Sequence, residues 1–182
     1  MVAYVRGFDN ISLVSRTARD WTDDLPFLRV AFHKVTNVRA RNVTAIFDGE
    51  VALPDENGVT RVDDMRRANK THLVYFAFDL LWWDDQDLRR EPLIQRKAQL
   101  KRVLAKAPPN IVYSDHVVGP AGGPFYDAAV AHGCEGIVSK VLNPRVRDKK
   151  VFAEAVENIA DFGLKRPVTV RVVKTVTADC TP

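Results

Sequence analysis

Two carboxylates separated by a glycine lie inside an apolar segment, AIFDGEVAL at residues 45–53, where a strand is predicted over 43–53. Because side chains alternate along a strand, Asp48 and Glu50 are expected on one face, and Phe47 and Val51 on the other. A glycine at such a position often marks a bulge or the close approach of a ligand. The alternative interpretation is a turn at an edge strand, with both acids solvated.

A second polar group lies in YFAFDLLWWD, residues 75–84. The apolar, aromatic-rich run from His72 to Leu81 predicts a strand that is buried on both faces. Asp79 must be hydrogen-bonded or paired if it is buried there. Phe78 offers an aromatic face on which a nucleotide base can stack. The alternative is that Phe78 is simply a core residue.

A third segment, GCEGIVSK at residues 133–140, has Glu135 before a predicted strand and Lys140 at its end. This pairing suits a polar cleft at the strand ends. The alternative is that the two residues simply mark the beginning and the end of an ordinary strand. The histidines are scattered, and Cys134 is best interpreted as a small buried residue. The sequence shows no nucleophile triad, glycine-rich phosphate loop, zinc pattern or disulfide framework.

The elements that position these segments alternate between strands and helices. Residues 2–15 predict a hairpin, and a helix is predicted from Thr22 to about Val35. A helix over 93–104 is expected to show four basic side chains to solvent, Arg96, Lys97, Lys101 and Arg102. Further predicted elements are a turn at 54–58, a strand at 59–62, a short helix at 63–69, an acidic turn at 82–89, a strand at 111–118, a loop at 119–124, a helix between Pro124 and Gly133, a strand at 135–142, a helix at 148–159 and a strand at 168–172. The fold class is α+β, with largely antiparallel sheets and packed helices.

Composition narrows the function classes only a little. The chain has 182 residues, 27 Lys and Arg against 23 Asp and Glu, and a net charge of +4. Most of this excess follows Lys140, and it permits polyanion binding without requiring it. No apolar run approaches the ~20 residues that span a bilayer, and the first residues lack a signal-peptide pattern. We therefore expect a cytoplasmic protein with no membrane partner.

Taken together, the motifs resemble a known family. FDGEVALPDENG, FAFDLLWWDDQDLR and EGIVSK, in this order, are similar to the adenylation domain of ATP-dependent DNA ligases. The similarity is greatest to the ligase module of bacterial end-joining systems, and it covers roughly residues 4 to 140. The segment that contains Ser15 and Arg16 also looks like part of this family. The resemblance implies a partial nucleotidyltransferase fold (ATP-grasp-like), the cofactors ATP and Mg²⁺, and nicked duplex DNA as a weakly bound partner.

The resemblance also implies roles for single residues. Arg16 matches an arginine that contacts the nucleotide and the region of the DNA 5′-phosphate. Glu50 matches a glutamate that holds the ribose and contributes to the magnesium environment, and Phe78 the aromatic that stacks on adenine. Glu135 matches a carboxylate that helps to hold the metal, and Lys140 a nucleotide-binding lysine. Such roles suit phosphoryl transfer, which depends on charge neutralisation and alignment.

The sequence departs from the family pattern at the nucleophile. The family uses a lysine in a K-x-D-G-x-R motif, which attacks the α-phosphate of ATP and then carries AMP, and these 182 residues contain no such motif. We expect the chain to begin just after it. The later W-x-K-x-K-like segment is also missing, Val141 replaces the usual arginine, and no OB-fold domain follows.

These departures define the functional expectation. We predict an N-terminally truncated adenylation core at residues 1–140 and a divergent basic segment at residues 141–182. The expected function is that of a DNA ligase-like fragment, from an enzyme of nick sealing in DNA repair and recombination, with no catalytic residue of its own and little ligase activity. The alternatives are a non-catalytic module that binds nucleotide or DNA, and a decayed or frame-shifted gene product.

Overall fold

A computed structural model describes residues 1–6, 10–38, 41–54 and 72–117, and four single positions, Pro124, Asp127, Ala128 and Ala131. Those four positions are helical, in agreement with the helix predicted after Pro124. The remaining elements predicted between residues 55 and 71 and after residue 117 lie outside the described residues. Glu135 and Lys140 lie outside them as well.

The described strands and helices agree with the predicted α+β class. The strands are β1 (Val2–Arg6), β2 (Ile11–Val14), β3 (Asn37–Val38), β4 (Arg41–Asn42), β5 (Thr44–Ala52), β6 (Val74–Trp83), β7 (Gln86–Asp87) and β8 (Ile111–Tyr113). The helices are α1 (Pro26–Thr36) and α2 (Leu93–Val103), with 3₁₀ turns at Leu88–Arg90 and Leu104–Lys106. Six strands form one sheet in the order β2-β1-β5-β6-β7, with β8 also paired to β6. Only the β6–β8 pair is parallel among the described strands of this sheet.

The predicted hairpin is confirmed, and the predicted start of α1 is wrong. β1 and β2 pair in register from Val2 with Val14 to Val5 with Ile11. α1 begins at Pro26 rather than Thr22, because proline suits the first helical turn, where its missing N–H is not needed. The Thr22 hydroxyl instead accepts a 3.0 Å hydrogen bond from the Leu13 amide. This hydrogen bond links the loop before α1 to β2.

The main core lies between α1 and one face of the sheet. The Phe32 ring packs edge-on against Tyr75, with 4.9 Å between centroids, and at 5.2 Å from Phe47. Leu28 is fully buried beside them. Burying each such side chain contributes about 1.5–3 kcal/mol, so this apolar contact fixes the helix on the sheet.

Strand β6 has the predicted length of 10 residues but lies two residues further along the chain, and it is less regular than predicted. Its pairing with β5 shifts twice, so that Phe78 and Leu81 are extra residues with no partner in the register. The strand continues to Trp83, and Asp84 then adopts a positive φ of 57° in the tight turn to β7. The predicted acidic turn at 82–89 is therefore partly strand. The strand predicted at 111–118 ends at Tyr113.

The predicted exposure of α2 is wrong at two of four basic residues. Arg96 is 4% exposed and Lys97 is 7% exposed, because both pack toward β6, whereas Lys101 and Arg102 are exposed as predicted. Neither α1 nor α2, at 11 residues each, has the length and apolarity of a membrane-spanning helix. No other helix in the described part of the chain has them either.

Candidate functional site

Asp48 and Glu50 lie on the face of β5 that is opposite the main core. Phe47 and Val51 belong to that core, as the period of two predicts. The alternative of an edge turn with solvated acids is wrong, because β5 lies between β1 and β6. Asp48 is 7% exposed and Glu50 is half-buried. A central strand thus carries two carboxylates on the face away from α1.

Gly49 of β5 lies in close contact with residues of β6. A Cβ atom at this position would lie 2.4 Å from the Phe76 carbonyl oxygen and 2.5 Å from the Tyr75 ring. The pairing with β6 shifts between Asp48 and Gly49, so the bulge expected from a glycine in a strand is present. The close neighbour is the protein's own ring and backbone, and only glycine fits there.

Backbone register brings three of the predicted site residues to one end of the sheet. One row of paired residues crosses β2, β1, β5 and β6: Val14, Val2, Asp48 and Asp79. Arg16 follows this row after β2, Glu50 follows it in β5, and Phe78 precedes it in antiparallel β6. All three therefore lie on the same side of the row. The span from β2 to β6 covers three strand spacings, roughly 14 Å.

Arg16 lies in a turn that the neighbouring side chains organise. The Ser15 hydroxyl accepts a 3.1 Å hydrogen bond from the Arg19 amide and lies 3.1 Å from the Thr17 hydroxyl. Ala18 adopts a positive φ of 58°, which closes the turn. The Arg16 side chain is exposed, and no ion pair joins it to another described residue. It is thus available to an anion at this end of the sheet.

Phe78 belongs to a small apolar cluster outside the main core. The cluster contains Ala52, Phe76 and Phe78, with Val74 and Val112 packed against it. Phe78 is 5% exposed, so its ring lies in a packed environment on the face that carries Glu50. This position agrees with an aromatic at the base of a cleft and with a simple packing role. The stacking role of Phe78 stays a prediction.

The expectation that a buried Asp79 must be paired is confirmed. The Arg96 Nε and Nη2 atoms donate to its two carboxylate oxygens at 2.9 and 2.6 Å. The Leu80 amide donates to the same carboxylate at 2.9 Å, and the Arg96 Nη1 atom donates to the Glu91 carbonyl at 2.6 Å. This bidentate geometry is the strong form of an ion pair.

Sequence reasoning missed the two cations of α2 that contact β6 beside the site. The Lys97 ammonium donates to the carbonyl oxygens of Phe78 at 3.3 Å and Ser114 at 2.7 Å. The sequence did contain a signal that these two side chains are buried, in their spacing along the helix. Residues 96 and 97 follow Leu93 by three and four positions and precede Leu100 by four and three, so they share the buried face of the helix.

Burial and the nearby carboxylates together shift the pKa values of two groups around Gly49. The Met1 amine donates a hydrogen bond to the Gly49 carbonyl. Burial lowers the pKa of this amine, while the charges of Asp48 and Glu50 act in the opposite direction. Burial also raises the pKa of the Tyr75 hydroxyl well above its usual range, and Asp48 adds to the effect. Both shifts follow mainly from burial, while the charge of Asp48 favours the positive amine and opposes a negative phenolate.

The two carboxylates of β5 are oxygen donors of the kind that could hold part of the coordination shell of a magnesium ion. No group of three or more His, Cys, Asp or Glu side chains that could hold a metal is present among the described residues. Mg²⁺ in nucleotide sites usually takes one or two carboxylates together with substrate phosphates. Asp48 and Glu50 are donors of that kind, and they lie on one face of the same strand.

Comparisons with known proteins identify the family. The sequence model described as ATP dependent DNA ligase domain matches residues 3–150, and the chain belongs to this family. It is 29% identical over 151 residues to DNA ligase 2 of Thermofilum pendens, a match that covers 75% of this chain and 24% of that protein. It is 25% identical over 145 residues to the multifunctional non-homologous end joining protein LigD of Pseudomonas aeruginosa, covering 78% of this chain and 17% of that protein.

The solved structures agree on the fold. The ligase domain of LigD from M. tuberculosis has a TM-score of 0.64 and 22% identity to this chain, and the match covers 79% of this chain and 46% of that domain. The α+β fold of this chain is therefore that of a ligase nucleotidyltransferase domain. The chain spans less than a third of the length of the curated relatives described here.

Proposed function

We propose that this chain forms the nucleotide-binding part of the adenylation domain of an ATP-dependent DNA ligase. The register that brings Arg16, Glu50 and Phe78 to one end of the sheet is the observation that supports this function. These residues come from three distant segments, and each has the chemistry that a different part of ATP requires.

Each side chain has a distinct task in this proposal. Phe78 stacks on the adenine, a contact that is worth about 1–3 kcal/mol per base. Glu50 accepts hydrogen bonds from ribose hydroxyls, and the exposed Arg16 neutralises phosphate charge. Glu135 and Lys140, which the family resemblance also implies, are expected to complete the metal and nucleotide contacts. Bound Mg²⁺ would neutralise the phosphates and align them for displacement.

The missing lysine motif limits what these 182 residues do alone. Nucleophilic catalysis requires a lysine held in line with the α-phosphate, and positioning supplies much of the rate. No lysine of the sequence stands in a K-x-D-G-x-R context. We therefore propose that this chain binds nucleotide without forming a covalent lysyl–AMP. The second candidate function, a non-catalytic nucleotide- or DNA-binding module, rests on the same observation.

DNA is the proposed macromolecular partner, with nick sealing in repair and recombination as the family process. Arg16 is exposed at the candidate site, where it can meet a phosphate of the backbone. Contacts to phosphate carry no sequence information, and their affinity falls with salt. We expect weak, salt-sensitive duplex binding with no preference for nicked over intact DNA.

Calorimetric titration with Mg²⁺–ATP tests the proposed site. We expect a dissociation constant in the high micromolar range, about −5 to −6 kcal/mol, because the nucleophile lysine motif and the later W-x-K-x-K-like segment are missing from the sequence. Phe78→Ala should weaken binding about tenfold or more. The matched control is Phe32→Leu, which alters a buried ring on the opposite face and should leave affinity unchanged. Submicromolar binding, or equal affinity in Phe78→Ala, would contradict the proposal.

Incubation with labelled ATP and magnesium separates binding from catalysis. We expect no covalent label on the protein. A stable, acid-labile adduct on any lysine would show that the chain has its own nucleophile and would overturn the non-catalytic part of the proposal.

A further inference from the structure

Lys97 of α2 is a buried cation that contacts two backbone carbonyls. Its Nζ atom donates to the carbonyl oxygens of Phe78 and Ser114 at 3.3 and 2.7 Å, and it lies 4.7 Å from the centre of the Tyr113 ring. A buried ammonium is costly unless its donors are satisfied. The two carbonyls and the ring face stabilise the ammonium in this position.

The first of these carbonyls belongs to the irregular point of β6. Phe78 is the extra residue where the pairing with β5 passes from Asp79 to Ala77. A bulged residue is left unpaired by its ladder, and its side chain is re-aimed by the local bend. On the other side of β6, β8 ends at Tyr113, and its last contact with β6 is the 3.0 Å hydrogen bond from the Ser114 amide to the Ala77 carbonyl. Lys97 therefore bridges β6 and the chain after β8 where the ladder stops.

Asp79, the residue after the bulge, is held by a side chain of the same helix, α2. Arg96 holds the Asp79 carboxylate through two hydrogen bonds, and the Asp79 carboxylate also accepts from the Leu80 amide. Adjacent residues of α2 thus hold adjacent residues of the bulge. The direction of the Phe78 ring depends on this backbone, because the β5 register does not set it.

We propose that Lys97 is a positioning residue for nucleotide binding: it holds the Phe78 carbonyl so that the aromatic ring keeps the orientation in which adenine stacks on it. This inference rests on the proposed function. In this proposal Lys97 acts on the base through the Phe78 carbonyl and not by direct contact with the nucleotide. Loss of the Lys97 ammonium should therefore lower the affinity for ATP by weakening the contact with the base, and it should leave the phosphate contacts unchanged.

The test compares Lys97→Met with Lys101→Met in the full chain. Methionine keeps most of the length and apolar volume of lysine but cannot donate. Lys101 lies on the same helix, also near the Tyr113 ring at 5.3 Å, but its ammonium pairs with Asp115 at the exposed surface. We expect Lys97→Met to weaken ATP about threefold to tenfold and Lys101→Met to have no measurable effect. Lys97→Arg, which keeps the charge and the donors, should recover most of the affinity.

A double-mutant cycle with Phe78→Ala separates positioning from general stability. If Lys97 acts through Phe78, Lys97→Met has no further effect on ATP binding in the Phe78→Ala background, and inorganic tripolyphosphate binds wild type and Lys97→Met equally. Additive losses, or weaker tripolyphosphate binding, would overturn the inference. If Lys97→Met does not fold, Lys97→Gln, which keeps one donor group, enters the same cycle. If Phe78→Ala alone does not weaken ATP, the stacking role itself fails, and the two failures are thereby distinguished.

Discussion

The two helices on the described sheet use opposite chemistry to hold it. α1 contacts the sheet through apolar side chains such as Leu28 and Phe32. α2 buries Leu93 and Leu100, but between them it also buries Arg96 and Lys97 against β6. Apolar packing tolerates small shifts, whereas hydrogen-bonded charges fix distances and angles. The difference teaches that β6 is held by hydrogen-bonded charges beside Phe78, where the nucleotide base is proposed to lie.

Removing the charge of α2 should have the largest effect on stability. Arg96→Met leaves the Asp79 carboxylate buried without its cation, which typically costs about 3–5 kcal/mol. Phe32→Leu in α1 removes only part of a ring and should cost about 1 kcal/mol. Urea unfolding of both variants measures the difference, and equal losses would contradict the contrast between the helices.

A double variant sharpens this comparison. Replacing both partners, Asp79→Leu with Arg96→Met, removes the uncompensated charge, and such replacements are often neutral or stabilising. We expect the free energy of unfolding to recover relative to Arg96→Met. Nucleotide affinity should not recover, since the fixed geometry of the bulge is lost. If both recover, the ion pair serves stability alone.

A substitution at Gly49 tests how closely β5 packs against β6 at the position between the two carboxylates. Gly49→Ala places a methyl group 2.4 Å from the Phe76 carbonyl oxygen, and this backbone atom cannot move aside without altering the sheet. Overpacking of this kind costs about 1–3 kcal/mol. Thermal unfolding checks the loss. An unchanged midpoint in Gly49→Ala would show that the strands separate more easily than the packing indicates.

The smallest effect is expected at the turn that leads into α2. The Asp87 carboxylate accepts from the Arg89 amide at 3.1 Å and from its guanidinium at 2.7 Å. Burial would raise the pKa of Asp87, but the hydrogen bonds and charge of Arg89 outweigh it and lower the pKa from 3.8. A lowered carboxyl pKa means that the ionised Asp87 stabilises the fold above pH 3.8. This stabilisation is lost as the pH falls below that value.

Asp87→Asn keeps the oxygen that accepts from the Arg89 amide but removes the charge, so it should cost about 0.2–1 kcal/mol at neutral pH, the size of an exposed ion pair. The difference from wild type should shrink as the pH falls through about 4. Unfolding curves at several pH values measure both quantities. A difference that persists at pH 2 would assign the effect to packing rather than to charge.

Local patterns predicted much of the fold and part of the site. Alternation predicted the faces of Asp48 and Phe47, and the apolar run around Asp79 required a partner for it. The identity of that partner depends on how α2 packs on β6, which the sequence does not show directly. Arg96 and Lys97 were assigned to solvent because long charged side chains are rarely buried, although their helical spacing pointed inward.

The bulge at Phe78 could not be predicted for a different reason. A register shift depends on both paired strands, and neither strand shows it alone. Alternation along β6 without the bulge would place Phe78 and Leu80 on one face, but Leu80 belongs to the main core and Phe78 does not. The roles of Arg16, Glu50, Phe78, Glu135 and Lys140 stay predictions.

Magnetic resonance contacts between ATP and the phenylalanine rings test the proposed site most directly. With ring-labelled phenylalanine and saturating Mg²⁺–ATP, adenine H2 and H8 should show nuclear Overhauser contacts to Phe78, and these should vanish in Phe78→Leu. The fully buried Phe32 ring on the opposite side should show none. Contacts of the adenine to other rings in place of Phe78, at concentrations where calorimetry detects binding, would contradict a nucleotide site at this end of the sheet.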